Sequence, residues 1–208
     1  MLRELQVMAV IMCVSSYLEA GTLSIGTAVT QGDLRIDNYP VKVSGTIFDG
    51  SEIETGVSTQ STASVRLGND IKIALYSNSS GTFYRDHLVL LRGEVDLIAS
   101  PSFRTEVAGL VITASSPGSS GFISIGPGGA VNVLAGTGNL RVVKDGGSFL
   151  AQVSPNKPLA FSQAGDGGWR IGSPAPKDFR DNHRCYVDGD DDRDDRDCGG
   201  RHHRHPSN

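Results

Sequence analysis

The sequence predicts an all-β fold followed by a disordered, charged C-terminal tail. The fold is read as an antiparallel sandwich, a jelly roll or a solenoid-like stack of short strands. Three observations carry this. Apolar residues recur with a period of two from Leu23 to Phe161, which puts one side of each strand on a core and the other in water. Glycine is abundant, at 26 of 208 residues, as tight turns between many short strands require. No stretch beyond the first twenty residues has a helical period, so parallel strand–helix–strand units are excluded.

Taken in order, the alternating pairs are Leu23/Ile25, Leu34/Ile36, Val41/Val43, Val65/Leu67, Ile71/Ile73/Leu75 and Leu88/Leu90. They continue with Phe103/Thr105/Val107, Leu110/Ile112, Ile123/Ile125, Val131/Val133 and Leu140/Val142. Turns are marked by Asp49-Gly50, Gly68-Asn69-Asp70, Arg92-Gly93, Pro117-Gly118, Pro127-Gly128-Gly129 and Asp145-Gly146-Gly147. Glycine there supplies positive φ without a Cβ clash. The spacing gives about a dozen strands, roughly ten residues apart. The opposite phase reads Arg66, Lys72, Glu94, Asp96, Arg104, Glu106, Asn132 and Arg141, which predicts a solvated outer face.

The ends differ in character. Residues 1–20, MLRELQVMAVIMCVSSYLEA, have one early arginine, a short apolar run from Val7 to Val14 and small residues before Ala20. This is the layout of a cleavable secretory signal, too short to span a bilayer. The other readings are a short buried helix or strand, or a lipoprotein acylated at Cys13. Residues 21–164 form the β-domain, and 165–208 a linker and tail. In the tail, Asp188–Asp197 reads DGDDDRDDRD and Arg201–His205 reads RHHRH. Such a composition buries too little apolar area to offset chain entropy. In an exported chain Cys185 and Cys198 meet an oxidising compartment. As a disulfide they would close a short loop, contributing about 3 kcal/mol in the chain-entropy view.

Residues that could carry chemistry are few. Asp86-His87 lies at a strand entry, where neighbours would point to opposite faces and one could not orient the other. Glu52/Glu54 and Glu94/Asp96 each share a strand face, as paired carboxylates for glycoside cleavage would, but on the wet side. Gly126-Pro127-Gly128-Gly129 lacks the Lys-Ser/Thr of a phosphate loop. Asp188, Asp190 and Asp192 have calcium-loop spacing, but Arg193 stands where glycine is needed and Gly199 where a bidentate glutamate is needed. His202, His203 and His205 would hold Zn²⁺ or Ni²⁺ only weakly. The expected core contains no cysteine. No catalytic, cofactor or metal residue is therefore assigned, and the chain reads as a non-enzyme. The net charge of −4 gives no reason to expect nucleic acid.

An ordered series of segments resembles the FecR domain. Gly45-Thr46-Ile47-Phe48-Asp49-Gly50-Ser51-Glu52-Ile53-Glu54-Thr55-Gly56 looks like its opening signature. Ala63–Leu67, His87–Val95, Phe103–Val107, Ala130–Leu134, Gly138–Val142 and Leu150–Leu159 resemble its later steps in order. Asn156 stands where the closing step usually has glycine. The family's mid-domain G-T-x-F step has only a weak counterpart around Ser119–Ile125. The resemblance covers residues 25–162. It implies a periplasmic β-domain that senses an outer-membrane receptor, without the cytoplasmic anti-sigma segment and membrane span of the full-length regulators. The expectation is a periplasmic or secreted binding module, with no membrane span, that engages an envelope protein in sensing or signalling. The alternative is a structural or surface-attachment scaffold that touches envelope polysaccharide. No oligomeric state follows from the sequence.

Overall fold

The computed structural model describes residues 23–165 and 167–174. These residues form an all-β fold of eighteen strands, with one 3₁₀ turn at Pro127–Gly129 and no α-helix. In chain order the strands are β1 (Ser24–Gln31), β2 (Leu34–Ile36), β3 (Tyr39–Val41), β4 (Ser44–Phe48), β5 (Ser51–Thr55) and β6 (Thr62–Leu67). Next come β7 (Ile71–Leu75), β8 (Ser80–Phe83), β9 (His87–Arg92), β10 (Glu94–Ala99), β11 (Arg104–Val107) and β12 (Leu110–Ala114). The last six are β13 (Ser119–Ile125), β14 (Val131–Ala135), β15 (Leu140–Lys144), β16 (Phe149–Val153), β17 (Leu159–Gln163) and β18 (Trp169–Gly172). There are more than the dozen the period suggested, because hairpins such as β2–β3 turn on two residues between three-residue strands. Cys13, Cys185, Cys198, the aspartate run and the histidine cluster lie outside the described residues.

The strands build two nine-stranded sheets. Sheet I has the order β18-β17-β14-β13-β10-β7-β6-β1-β4, and sheet II the order β16-β15-β12-β11-β9-β8-β5-β2-β3. Beyond β5 the chain climbs both sheets together, mostly laying a hairpin on one and then a hairpin on the other. This is the solenoid-like variant of the predicted sandwich. Sheet neighbours with none, two or four strands between them in the chain are antiparallel. β9 and β11 are separated by β10 alone, and two reversals, an even number, bring β11 back parallel to β9, with Arg104 beside His87. It is the one parallel pairing between two strands among the described residues, beside an isolated parallel bridge at Ala135–Pro155, and the sequence leaves the topology open.

The crossing from β9 to β10 is a single residue, Gly93, at φ 84°. A Cβ there would lie 2.5 Å from Ser79 Cα, so both conformation and space demand glycine. Ser79 occupies that space because its side chain completes the crossing. The Glu94 N–H donates to Ser79 Oγ at 2.8 Å, and Ser79 Oγ donates to the Glu94 carbonyl at 3.0 Å. Buried Thr55 receives the Ser79 N–H on the other side, at 2.9 Å. Buried polar groups are thus paired, as a dry crossing needs.

One apolar layer fills the space between the sheets. Ile47, Val65, Leu75, Val95, Ile123 and Phe161 enter it from sheet I, and Ile53, Phe83, Leu88, Leu110, Ile112 and Leu140 from sheet II. Each such side chain contributes about 1.5–3 kcal/mol through removal from water. The period-two reading placed Val65, Leu75, Leu88, Leu110, Ile112, Ile123 and Leu140 correctly, with exceptions at one end. Leu23 precedes β1 and is 72% exposed, and Val43 follows the end of β3 and is 70% exposed. Alternation extended across a strand end misplaces both. The predicted wet residue Asn132 is also corrected. It is 3% exposed, and its Nδ2 donates to Ser124 Oγ at 3.3 Å.

Candidate functional site

The outer face of sheet I is not uniformly polar. Cross-strand register sets Ser64 (β6), Ala74 (β7), Asp96 (β10), Phe122 (β13) and Leu134 (β14) in one row. The next row is Arg66, Lys72, Ile98 and Ser120. Between them lies a half-open groove of about 160 Å³, lined by Lys72, Ala74, Asp96, Ile98, Phe122 and Leu134 among others. Its apolar floor is Phe122, only 2% exposed although it points away from the inter-sheet core. The Tyr76 ring stands tilted against Phe122, with centroids 6.1 Å apart, an arrangement aromatic pairs favour. Tyr76 Oη donates to Asp96 Oδ2 at 2.5 Å, which fixes the carboxylate at the groove wall. At the groove end a Cβ on Gly136 would lie 2.7 Å from Ser120 Oγ, so glycine keeps that end open.

On the outer face of sheet II one row carries charge, and the next, Val89, Glu106, Val111, Val143 and Phe149, is mostly apolar but only half-buried or exposed. His87, Arg104, Thr113, Arg141 and Gln152 form a row across β9, β11, β12, β15 and β16. The sequence reading separated Asp86 from His87, and here the structure corrects it. Asp86 lies in the bend before β9, where strand alternation does not apply, and its Oδ1 sits 2.8 Å from His87 Nδ1. Arg104 donates to Asp86 Oδ2 at 2.7 Å and, through Nε, to Glu106 Oε1 at 2.9 Å. The Tyr84 ring stacks on His87 at 4.3 Å. The hydrogen bond from His87, opposed by partial desolvation and aided by Arg104, holds the Asp86 carboxyl below its ordinary value. The hydrogen bond to Glu106, opposed by desolvation and aided by Asp86, raises Arg104. The parallel register brings these groups together and ties β9 to β11. His87 has no hydroxyl or thiol partner among the described hydrogen bonds, so the network has the parts of a strand tie, with no nucleophile in it.

The paired carboxylates fall where their spacing put them. Glu52 and Glu54 share the outward face of β5, where Glu54 pairs with Arg92. Glu94 and Asp96 share that of β10, with Asp96 on the groove wall. Gly126–Gly129 forms the 3₁₀ turn before β14, with no helix behind it. The sequence reading did not single out Ile98, Phe122 or Leu134. A signal was there: these are apolar residues on the polar phase of three neighbouring strands.

Compared with known proteins, the chain matches no protein-family model and no curated protein. It is similar to a crystal structure described as a "putative anti-sigma factor" from Parabacteroides distasonis. The two share 14% identity and a TM-score of 0.47, over 59% of this chain and 59% of that one. A likeness of that size assigns nothing. The fold and groove define a two-sheet β-scaffold with a small apolar recess on one outer face.

Proposed function

We propose that the chain is an exported, FecR-like, non-enzymatic module that binds a protein of the cell envelope in sensing or signalling. The sheet I groove receives one apolar side chain of that protein. The observation that carries this reading is the size and lining of the groove. Small-molecule sites enclose about 300–1,000 Å³, and about 150 Å³ lined by apolar groups holds a benzene-sized body. A 160 Å³ recess floored by Phe122 and walled by Ile98 and Leu134 therefore fits a single anchoring side chain. Such anchors carry much of the energy of protein interfaces. Lys72 and Asp96 give the recess the polar rim such an anchor needs.

The FecR-like reading is supported by where the resembling segments fall. Ala63–Leu67 lies within β6, Phe103–Val107 spans β11, Ala130–Leu134 takes in all of β14 but its last residue, and Gly138–Val142 enters β15. Export rests on the signal-like residues 1–20, and periplasmic or secreted placement follows from it.

Two measurements test the proposal. Full-length protein is used to capture partners from envelope extract, beside the Ile98→Glu variant. Stoichiometric retention of one protein by wild type and its loss in the variant is expected. Retention that ignores the substitution contradicts the groove assignment. Cell fractionation with mass spectrometry of the mature N-terminus tests export. A product starting near Gly21 outside the cytoplasm is expected, with Cys185 bonded to Cys198. A full-length reduced cytoplasmic chain contradicts it.

A further inference from the structure

A second concavity lies at the other end of the molecule's charge pattern, on the outer face of sheet II beside its edge strand β3. It has a volume of about 740 Å³, within the small-molecule range of about 300–1,000 Å³. Arg35 stands mid-β2, opposite Pro40 on one side and Glu54 on the other. Lys42 follows β3, and Arg92 ends β9. Arg92 is committed to Glu54 by an ion pair. Neither Arg35 nor Lys42 has an ion-pair partner among the described residues, and both are exposed. Asp33 and Glu54 add acceptor oxygens to the same cleft, and Val57 adds an apolar mouth, 82% exposed.

This mixture selects a ligand chemistry. Two uncommitted cations call for an anionic group, which guanidinium and ammonium donors bind through charge-assisted hydrogen bonds. A polyanion without hydroxyl donors would also meet the carboxylates of Asp33 and Glu54 and be repelled. A ligand that carries both carboxylates and hydroxyl donors satisfies both sets, because hydroxyls donate to carboxylate oxygens. Acidic sugars have that combination on every ring. We propose that this cleft binds a uronate-bearing polysaccharide, with Arg35 and Lys42 on its carboxylates and Asp33 and Glu54 accepting from its hydroxyls. This goes beyond the protein-binding reading and uses none of the groove residues, so either can fail alone.

The probe is a galacturonate hexamer, titrated into the full-length protein at low salt by calorimetry and amide chemical shifts. Binding with shifts centred on β2, the β3–β4 turn and Gly56-Val57 is expected. Combined Arg35→Ala and Lys42→Ala weakens it by about tenfold or more, and Ile98→Glu leaves it unchanged. Because both substituted side chains are exposed, their loss spares the fold, and a retained circular dichroism spectrum verifies this. Undiminished binding of the methyl-esterified hexamer overturns the proposal, as does undiminished binding by the double variant. So does tighter binding of a peptide copying Asp188–Asp197, which would make the occupant an acidic polypeptide. No detectable binding of the hexamer overturns it as well.

Discussion

The two outer faces are built on the same period and differ in how deeply their apolar side chains are packed. On sheet I the central row is Ser64, Ala74, Asp96, Phe122 and Leu134; on sheet II it is His87, Arg104, Thr113, Arg141 and Gln152. The inter-sheet layer makes equal demands on both, so the difference lies wholly in the residues that the core does not constrain. Sheet II uses one row for ion pairs and for a guanidinium 5.6 Å over the Phe149 ring, and leaves its apolar residues Val89, Val111 and Val143 half-buried. Exposed pairs of that kind are individually worth little. Sheet I spends them on a nearly buried phenylalanine that the core does not need. A face that departs from the solvated default is where a binding role is to be sought.

The largest expected effect comes from the layer both faces share. Phe161→Ala removes a fully buried side chain and should lower unfolding free energy by about 3–5 kcal/mol, read by urea denaturation. Next comes the comparison itself. Phe122→Ala should cost about 3 kcal/mol because that ring is only 2% exposed. Val111→Ala, on the half-buried outer face of sheet II, should cost about 1 kcal/mol. Equal costs would erase the distinction between the faces.

A smaller change of opposite sign is expected at Thr105. Its hydroxyl is buried beside the parallel β9–β11 pair and has no hydrogen-bond partner among the described residues. Thr105→Val keeps the shape and removes the stranded polar atom, so a gain of about 1 kcal/mol should appear in the same denaturation assay. The smallest effect belongs to the ion network. The Asp86 carboxyl is held below its ordinary value of 3.8 in the folded chain. Its contribution is therefore present above that pH and fades as pH falls through the lower folded value. Stability curves of wild type and Asp86→Asn should differ at neutral pH and converge as pH falls past the lowered folded value. A constant gap down to strong acid would show that Asp86 acts without its charge.

The inward phase was legible because alternation is local: Val65/Leu67, Ile73/Leu75 and Leu88/Leu90 sit where their spacing put them. Strand pairing was not legible. That β11 runs parallel to β9 depends on β10 being a lone strand in sheet I, a fact about order in space that no window of sequence contains. The union of Asp86, His87 and Arg104 was hidden for the same reason. Asn132 read as wet because polarity was taken for exposure, whereas a paired amide can be buried beside Ser124. The groove was half-legible. Ile98, Phe122 and Leu134 are out of phase in the sequence, but only the register β10-β13-β14 sets them side by side.

The central claim is that the sheet I groove is where a partner sits. It is tested most directly by placing a photo-crosslinking amino acid at Ile98 in the full-length protein, with Arg141 on sheet II as the control, and irradiating intact cells. One discrete adduct from position 98 and none from position 141 is the predicted result. Equal adducts at both positions, or none at position 98, would contradict the account.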